Sequence, residues 1–456
     1  MRGFCNCVTN YQSVIVGGGC NTVTGGKAAT LSGYYNCVTG NGSIIGGGRR
    51  NTVSGQYAGT FSGCYNTVSG NYAGTLSGCY NTVSGNCGII GGGARNTVSG
   101  LYAGTLSGYY NNIAGNFGFI GSGQSNCIIT PHSFIGSGKQ NTVSSYYASG
   151  GCSAIVSGTG SLVCAPMSFI GGGRSNTISS DYLATGQHFI GAGSNNCITG
   201  QCSNVLVGGN SNCVFAYYGA PAFLGGGCNN IICSNGSYAF LGGGENNEVQ
   251  FCHGTLVGGK DNIAVSCLST IVGGEKNCVA NNFATIVGGC LNTGSANFSF
   301  IGGGWSNYIC GNSSCSSIVG GYDNCICNGC RNFIGGGSDN AMIGAISNNS
   351  VIVGGCCNVI DMSGPSCIGH FIGGGTSNCI KCTNYGTIAG GLSNCIAFHS
   401  CGFIGGGQDN EIIGRFGATI GGGASNSIST GCYSAIAGGF ANTMNTACYS
   451  FIGGGR

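Results

Sequence analysis

Asparagine recurs along this chain at a nearly fixed interval, and this period constrains the fold more than any other feature. From Asn21 to Asn141 the interval is always 15 residues, and beyond that it loosens to between 15 and 20. Ser161 takes the place of one asparagine. These marker asparagines lie in the pattern x-[IL]-[GVSA]-G-G-x-x-N-x-[IV], as in residues 169–178. A short period that fills the whole length is typical of a solenoid, in which each repeat packs against its neighbours.

The repeat predicts an all-β fold. Side chains alternate with a period of two around the glycine turns, as β-strands require. Glycine, with 97 of the 456 residues, recurs too often for a helix and supplies positive φ at corners. Counting Asn6 and Ser161 there are 28 repeats. We therefore predict one parallel β-solenoid domain over residues 1–456, with about 28 coils and a repeat of 15–16 residues.

The spacing also predicts how regular the solenoid is along its length. We expect regular coils over residues 1–148 and looser coils with loop insertions over residues 149–456. At a rise of about 4.8 Å per coil, 28 stacked coils would measure about 130 Å.

Stacked coils would align equivalent side chains into columns. The marker asparagines are expected to form a ladder of hydrogen-bonded amides. The alternative is that asparagine merely tolerates the turn geometry after the glycines. The ladder is predicted for Asn21, Asn36, Asn51, Asn66, Asn81, Asn96, Asn111, Asn126, Asn141 and Asn176.

Cysteine is abundant, with 33 residues. Six pairs fall at the same position of adjacent coils, where Cα atoms about 4.8 Å apart lie within the disulfide range. The spacing Cys325-x-Cys327-x-x-Cys330 is compatible with a set of metal ligands. However, candidate disulfide partners already lie at equivalent positions of adjacent coils. We therefore predict no metal and no cofactor. The predicted disulfides are Cys64/Cys79, Cys197/Cys213, Cys252/Cys267, Cys310/Cys327, Cys379/Cys395 and Cys432/Cys448. Such usage indicates an oxidising environment.

Charge is sparse and unevenly distributed. Residues 1–180 hold seven basic and no acidic side chains, whereas all ten acidic side chains follow residue 180. A positive end and a negative end favour end-to-end alignment of chains. The net charge of +3 is too small for nucleic-acid binding. No run of 18 apolar residues occurs, so membrane insertion is not expected.

Motifs for catalysis are weak, and we predict that the protein is not an enzyme. Asp409 and Glu411 straddle Asn410 as a candidate carboxylate pair, but a single pair is typical of a solvated surface. An aromatic column six residues after the marker asparagines could stack on sugars, mediate lateral contacts or simply pack at the corner. Its tyrosines are Tyr57, Tyr72, Tyr102, Tyr147 and Tyr182.

The glycine-punctuated coil x-Ile-Gly-Gly-Gly-x-x-Asn-x-[IV] resembles the head repeats of trimeric autotransporter adhesins and related β-roll segments of phage and viral fibres. The resemblance covers the whole chain through a motif of low complexity. It implies a parallel β-roll, a location outside the cell or on a virion surface, and trimerisation. This sequence has no coiled-coil stalk, membrane anchor or chaperone domain of those adhesins, which leaves a fibre or filament as the expectation.

Both ends of the sequence read as parts of a repeat, so we expect copies to stack head to tail. The expected interface residues are Phe4, Asn6, Val8, Phe451, Ile452 and Arg456. These features predict a structural subunit of an extracellular or viral fibre, a head-to-tail homopolymer stapled by disulfides, with lateral or trimeric self-association left open as well. The alternative is a receptor- or glycan-binding adhesin or tail-fibre protein, trimeric in the family it resembles.

Overall fold

The structure, a computed structural model, describes all of the chain except the following residues: 1–4, 146–150, 181–185, 202, 217–219, 234, 345–346, 364–366, 399–400 and 415. No described residue lies in a helix long or apolar enough to span a bilayer, and the regular structure in this part of the chain is entirely β-strand. The chain divides into two compact units, unit 1 over Met1–Asn229 and unit 2 over Asn230–Arg456. The single domain over residues 1–456 stays a prediction.

Each coil contributes one strand to each of two parallel sheets. The Asn-side sheet contains the strands that directly follow the marker asparagines, and the Gly-side sheet contains the strands that directly precede the glycine turns. Within each unit, both sheets consist of fourteen described strands that pair in parallel from coil to coil. Each strand pairs with the equivalent strand of the next coil, so Thr82 pairs with Thr97 and Ile89 pairs with Gly104. This arrangement confirms the predicted parallel β-solenoid.

In unit 1 the strands of both sheets are two or three residues long. The Asn-side strands are Cys7–Val8, Thr22–Val23, Cys37–Val38, Thr52–Val53, Thr67–Val68, Thr82–Val83, Thr97–Val98, Asn112–Ile113, Cys127–Ile128, Thr142–Val143, Leu162–Val163, Thr177–Ser179, Cys197–Thr199 and Cys213–Val214. The Gly-side strands are Val14–Ile15, Ala29–Thr30, Ile44–Ile45, Gly59–Thr60, Gly74–Thr75, Ile89–Ile90, Gly104–Thr105, Phe119–Ile120, Phe134–Ile135, Ala154–Ile155, Phe169–Ile170, Phe189–Ile190, Val205–Leu206 and Phe223–Leu224.

In unit 2 several Asn-side strands extend to three or four residues. The Asn-side strands are Ile231–Ile232, Glu248–Val249, Ile263–Ala264, Cys278–Val279, Thr293–Gly294, Tyr308–Ile309, Cys325–Ile326, Ala341–Gly344, Val359–Met362, Cys379–Lys381, Cys395–Ala397, Glu411–Ile413, Ser427–Ser429 and Thr443–Asn445. The Gly-side strands are Phe240–Leu241, Thr255–Leu256, Thr270–Ile271, Thr285–Ile286, Phe300–Ile301, Ser317–Ile318, Phe333–Ile334, Val351–Ile352, Phe371–Ile372, Thr387–Ile388, Phe403–Ile404, Thr419–Ile420, Ala435–Ile436 and Phe451–Ile452. A separate pair joins Ser347–Asn348 to Cys367–Ile368.

The core consists of one inward side chain from each strand. Because side chains alternate along a strand, the second residue of a two-residue strand points inward and the first points outward. Val83 and Ile90 are fully buried in this way, whereas Ile89 is largely exposed. Burying a valine or isoleucine contributes roughly 1.5–3 kcal/mol, so each thin coil gains its stability from contact with its neighbours.

The corner before each marker asparagine requires left-handed backbone at two positions. Gly33 has φ of 96°, and a Cβ there would overlap the carbonyl oxygen of Gly48 in the next coil. Tyr65, directly before its marker asparagine, has φ of 56° although it is not glycine. Such a residue costs roughly 1–2 kcal/mol. Its N–H donates to the carbonyl of Arg49 in the preceding coil at 2.9 Å, which offsets part of that cost.

Candidate assembly surfaces and binding groove

The marker asparagines are buried and join consecutive coils. Oδ1 of Asn81 accepts the backbone N–H of Asn96 at 3.0 Å. Its Nδ2 donates to the carbonyls of Ser77 at 3.3 Å and Gly93 at 3.1 Å. The side chain therefore satisfies backbone groups in its own turn and in the next coil. The left-handed residues at this corner are Gly78, with φ of 94°, and Tyr80, with φ of 59°, rather than the asparagine itself.

The same bonding recurs at the predicted ladder positions. From Asn21 to Asn141, each backbone N–H donates to Oδ1 of the preceding marker asparagine at 3.0–3.1 Å. Asn176 retains the Nδ2 bonds to the carbonyls of Gly172 and Gly193, at 2.8 and 3.0 Å. Ser161 interrupts the pattern, since its Oγ is buried without a hydrogen-bond partner among the described residues.

Two of the predicted cysteine pairs are disulfides in the structure, Cys64–Cys79 in unit 1 and Cys310–Cys327 in unit 2. Their Cα atoms lie 4.7 and 4.8 Å apart, which is the spacing of neighbouring coils.

The other predicted pairs are free thiols. Cys252 and Cys267 have Sγ atoms 2.7 Å apart. Cys197/Cys213 and Cys379/Cys395 face each other in strand register. Cys432 and Cys448 lie at the same position of successive coils, where the carbonyl of Cys432 accepts the N–H of Tyr449.

The thiol pair of Cys197 and Cys213 is electrostatically asymmetric. A hydrogen bond from Cys213 stabilises the Cys197 thiolate and lowers its pKa to about 6, although burial opposes this shift. The same bond raises the pKa of Cys213. The thiolate is the nucleophilic form of cysteine, so Cys197 is the member of this pair that would react first when a disulfide forms.

Two clusters in unit 2 contain the kinds of atoms that bind soft metal ions. Cys310, Cys325 and Cys327 place their sulfur atoms within 4.8 Å of one another. Because Cys310 and Cys327 are joined in a disulfide, only Cys325 offers a free thiol there. The second cluster joins Asp339 with the adjacent Cys356 and Cys357, whose sulfur atoms lie 3.0 Å apart. Thiolate and carboxylate ligands of this kind suit Zn²⁺.

A corner stripe runs along each unit, formed by the two residues that precede each marker asparagine. The first of the two makes a single-residue parallel bridge to its equivalent in the next coil, as Cys64 does with Cys79. The second takes the left-handed conformation and points its side chain outward. In unit 1 these outward side chains stack: the rings of Tyr65 and Tyr80 are parallel, with centroids 4.7 Å apart.

Arginine is interleaved with tyrosine in this stripe. The Arg50 guanidinium lies between the rings of Tyr35 and Tyr65, at 5.6 and 5.4 Å from their centroids. It also donates to the Tyr65 hydroxyl at 2.8 Å. Arg95 lies between Tyr80 and Tyr110 in the same way, at 5.7 and 5.1 Å. These contacts hold exposed cations in a fixed orientation.

The aromatic column six residues after the marker asparagines is also stacked and exposed. Tyr57 and Tyr72 have ring centroids 5.3 Å apart, and Tyr102 stacks on Phe117 at the same distance. The other two tyrosines predicted for this column, Tyr147 and Tyr182, lie outside the described residues.

Beside this column a shallow groove of about 360 Å³ crosses the Gly-side sheet. Glycine occupies the outward position in two neighbouring strands, at Gly59 and Gly74, so the floor of the groove is bare backbone. Tyr72, Leu76 and Ile89 line its sides. Ile89 occupies this outward position in the next strand, and other Gly-side strands have valine, alanine, threonine, serine or phenylalanine there. A side chain as large as isoleucine or phenylalanine would fill the same space.

The residues expected at the head-to-tail interface lie in the outermost described coils. Phe4 falls outside the described residues. Nδ2 of Asn6 donates to the carbonyl of Gly18 at 3.2 Å. Val8 is 43% exposed, although its equivalent in the next coil is fully buried. The positions at the other end are Phe451, which is 71% exposed, Ile452, which is half-buried, and Arg456, whose guanidinium lies over the Phe440 ring.

Two of these surfaces were not anticipated from the sequence, the corner stripe and the glycine floor. The relevant signal is present in the repeat but only at fixed offsets from the marker asparagine. Tyr35, Arg50, Tyr65, Tyr80 and Arg95 all occupy the position directly before it. The stripe is therefore visible in the sequence when the residues at this one position are compared across all the repeats.

Comparison with known proteins assigns no family. Neither a protein-family model nor a curated protein sequence matches this chain. What the protein does has to be inferred from its own coils.

Proposed function

We propose that this chain is a structural subunit of an extracellular or viral fibre, in which copies stack head to tail by adding coil to coil. The observation that supports this most is that described coils within each unit bind one another through one repeated set of contacts. Between consecutive coils, the same contacts join equivalent residues: one strand pairing in each sheet, a single-residue bridge at the corner, and the hydrogen bonds of the marker asparagine. One copy therefore presents the kind of face that another copy can extend.

The outermost described coils have the free pairing edges that such stacking uses. Among the described residues, Cys7–Val8 and Phe451–Ile452 each pair with a neighbouring coil on one side. Covering the exposed part of Val8 with a further coil would contribute about 1 kcal/mol, in addition to new strand hydrogen bonds.

An oxidising location fits the two disulfides between neighbouring coils, because disulfides persist outside the cell and on virion surfaces. Each bridge resists separation of the coils that it joins. The resemblance of the repeat to adhesin heads and viral fibres supports the same placement. The proposed role is structural, without catalysis.

Electron microscopy of the purified 456-residue chain tests the proposal. We expect uniform threads whose axial repeat is near the length of 28 coils, about 130 Å. Val8→Asp would place a charge between stacked coils, so it should leave short rods. The matched control is Val207→Asp, at a position that is 47% exposed and away from the outermost coils, and it should form threads normally. Discrete rods of the unaltered chain at every concentration would contradict the proposal.

A second candidate function is glycan binding, as in a receptor-binding adhesin or tail-fibre protein. It is favoured by the groove of unit 1, where the backbone of Gly59 and Gly74 lies open beside the Tyr72 ring. Sugars stack an apolar face on aromatic rings and bond through hydroxyls to backbone groups. A glycan array would test this, with Gly74→Ile filling the groove. Ala29→Ile, at the same outward position of another Gly-side strand and outside the lining, is the control. Equal glycan binding by both variants would exclude the groove.

A further inference from the structure

The charged side chains of unit 1 are concentrated on the corner stripe. Of the six described basic side chains in this unit, Lys27 alone lies elsewhere, on another corner. The basic side chains of the stripe are exposed, and they are Arg49, Arg50, Arg95, Lys139 and Arg174. The described residues of unit 1 include no aspartate or glutamate that could neutralise them. The stripe is therefore a positive surface along the side of the coils.

The charged residues at the same two positions in unit 2 are predominantly acidic. Six carboxylates occupy its corner stripe, Glu245, Asp261, Glu275, Asp323, Asp339 and Asp409. Lys260 and Lys276 share the stripe and form salt bridges with two of them, at 3.4 and 3.1 Å. No salt bridge within the described part of the chain reaches Asp323, Asp339 or Asp409.

We propose that the basic corner stripe of unit 1 binds the acidic corner stripe of unit 2 in a second copy of this chain, side by side. The sequence suggested that uneven charge would align chains end to end. The structure places the charges on the flanks of the coils, where they would face a lateral neighbour. This contact uses a surface different from that of coil stacking, so threads and bundles of threads are separate outcomes.

The geometry of the basic stripe suits carboxylates. Arg50 and Arg95 are already held between tyrosine rings, so less side-chain entropy is lost when a partner binds. A guanidinium can bind a carboxylate through two parallel N–H···O bonds.

The spacing of the cations favours a protein partner over nucleic acid. Arg50, Arg95 and Lys139 recur every third coil, about 14 Å apart, because each coil rises about 4.7–4.8 Å. Phosphates follow one another at about 3.4 Å along a DNA strand, so most would lack a cation. The acidic stripe is itself present in every copy, so each chain supplies a surface of opposite charge for the basic stripe of another.

Salt-dependent association of the full chain is the direct test. Sedimentation and electron microscopy should show side-by-side bundles at 50 mM NaCl. At 1 M NaCl, where the screening length falls to about 3 Å, single threads or single chains should remain. Arg50→Glu/Arg95→Glu should weaken bundling about tenfold or more, because it removes two of the five cations of the stripe and adds two carboxylates that repel the acidic stripe. Lys27→Glu removes an exposed cation outside the stripe and should bundle normally.

Charge exchange shows whether loss of bundling reflects lost pairing or a damaged fold. Asp323→Lys/Asp339→Lys alone should also bundle poorly, because its corner stripe in unit 2 then holds four carboxylates and four lysines and has no net negative charge. Mixing it with Arg50→Glu/Arg95→Glu should restore bundling, since each altered stripe gains an opposite partner.

Three results would overturn the inference. The first is bundling that persists unchanged at 1 M NaCl, and the second is a mixture of the two variants that does not recover. The third is a stripe that retains heparin or DNA while chains stay apart. Threads that form but never bundle would leave the proposed coil stacking intact and remove only this lateral contact.

Discussion

Replacing Asn81 with alanine measures what a marker asparagine contributes. The backbone N–H of Asn96 would lose its acceptor inside a buried corner. The Gly93 carbonyl would keep a second donor, the N–H of Cys79 at 2.9 Å. A buried N–H without a partner costs roughly 1–3 kcal/mol, and each of the other lost bonds about 1 kcal/mol. We therefore expect the local stability of these coils to fall by about 3–4 kcal/mol.

Hydrogen exchange followed by mass spectrometry is the suitable assay, because solenoid coils open locally. Amides of residues 82–97 should exchange faster by about two to three orders of magnitude. Thr82→Ala is the matched control: its side chain faces outward beside the same asparagine, and it should cost less than about 1 kcal/mol. If Asn81→Ala accelerates exchange no more than the control, asparagine merely tolerates the turn and the reasoning about the ladder is wrong.

Three further predictions concern Ser161, Cys64 and the two buried histidines, His188 and His370. Ser161→Asn should restore the interrupted ladder and raise the free energy of unfolding by about 1–2 kcal/mol in chemical denaturation. Under non-reducing conditions Cys64→Ser should lower it by about 3 kcal/mol, the contribution of closing a 15-residue loop, and reductant should abolish the difference. Burial lowers the pKa of His188 and of His370 to about 4 from 6.5. The unfolded chain therefore binds more protons as pH falls from 6.5 towards 4, and stability should drop by up to about 3 kcal/mol per histidine. His370→Ser should remove its share of this pH dependence, whereas an unchanged pH profile would contradict the assignment.

The period of the marker asparagines was sufficient to predict the fold class. A residue type that returns every 15 positions, with a buried valine or isoleucine two residues later, can bury its apolar face only by stacking on its own copies. Val83 and Ile90 lie where that reasoning puts them. The two-residue alternation likewise predicted strands rather than helices.

The details of the corner could not be predicted, because they depend on the approach of the neighbouring coil. Tyr65 and Arg50 take left-handed backbone that propensity assigns to glycine, and contacts with the adjacent coil offset the cost. The ladder prediction has each side-chain amide bond to the amides above and below it. At Asn81, Oδ1 accepts from the backbone N–H and from Nδ2 of Asn96, whereas Nδ2 donates to backbone carbonyls such as that of Gly93.

The sequence by itself determined which residues recur, and hence that the chain stacks into parallel coils with aligned side-chain columns. Only the tertiary structure decided which columns face solvent and which face inward, because that depends on the direction of each Cα–Cβ bond at the corner. It is this direction that turns scattered arginines into one stripe on the flank of unit 1 and scattered aspartates into another on unit 2.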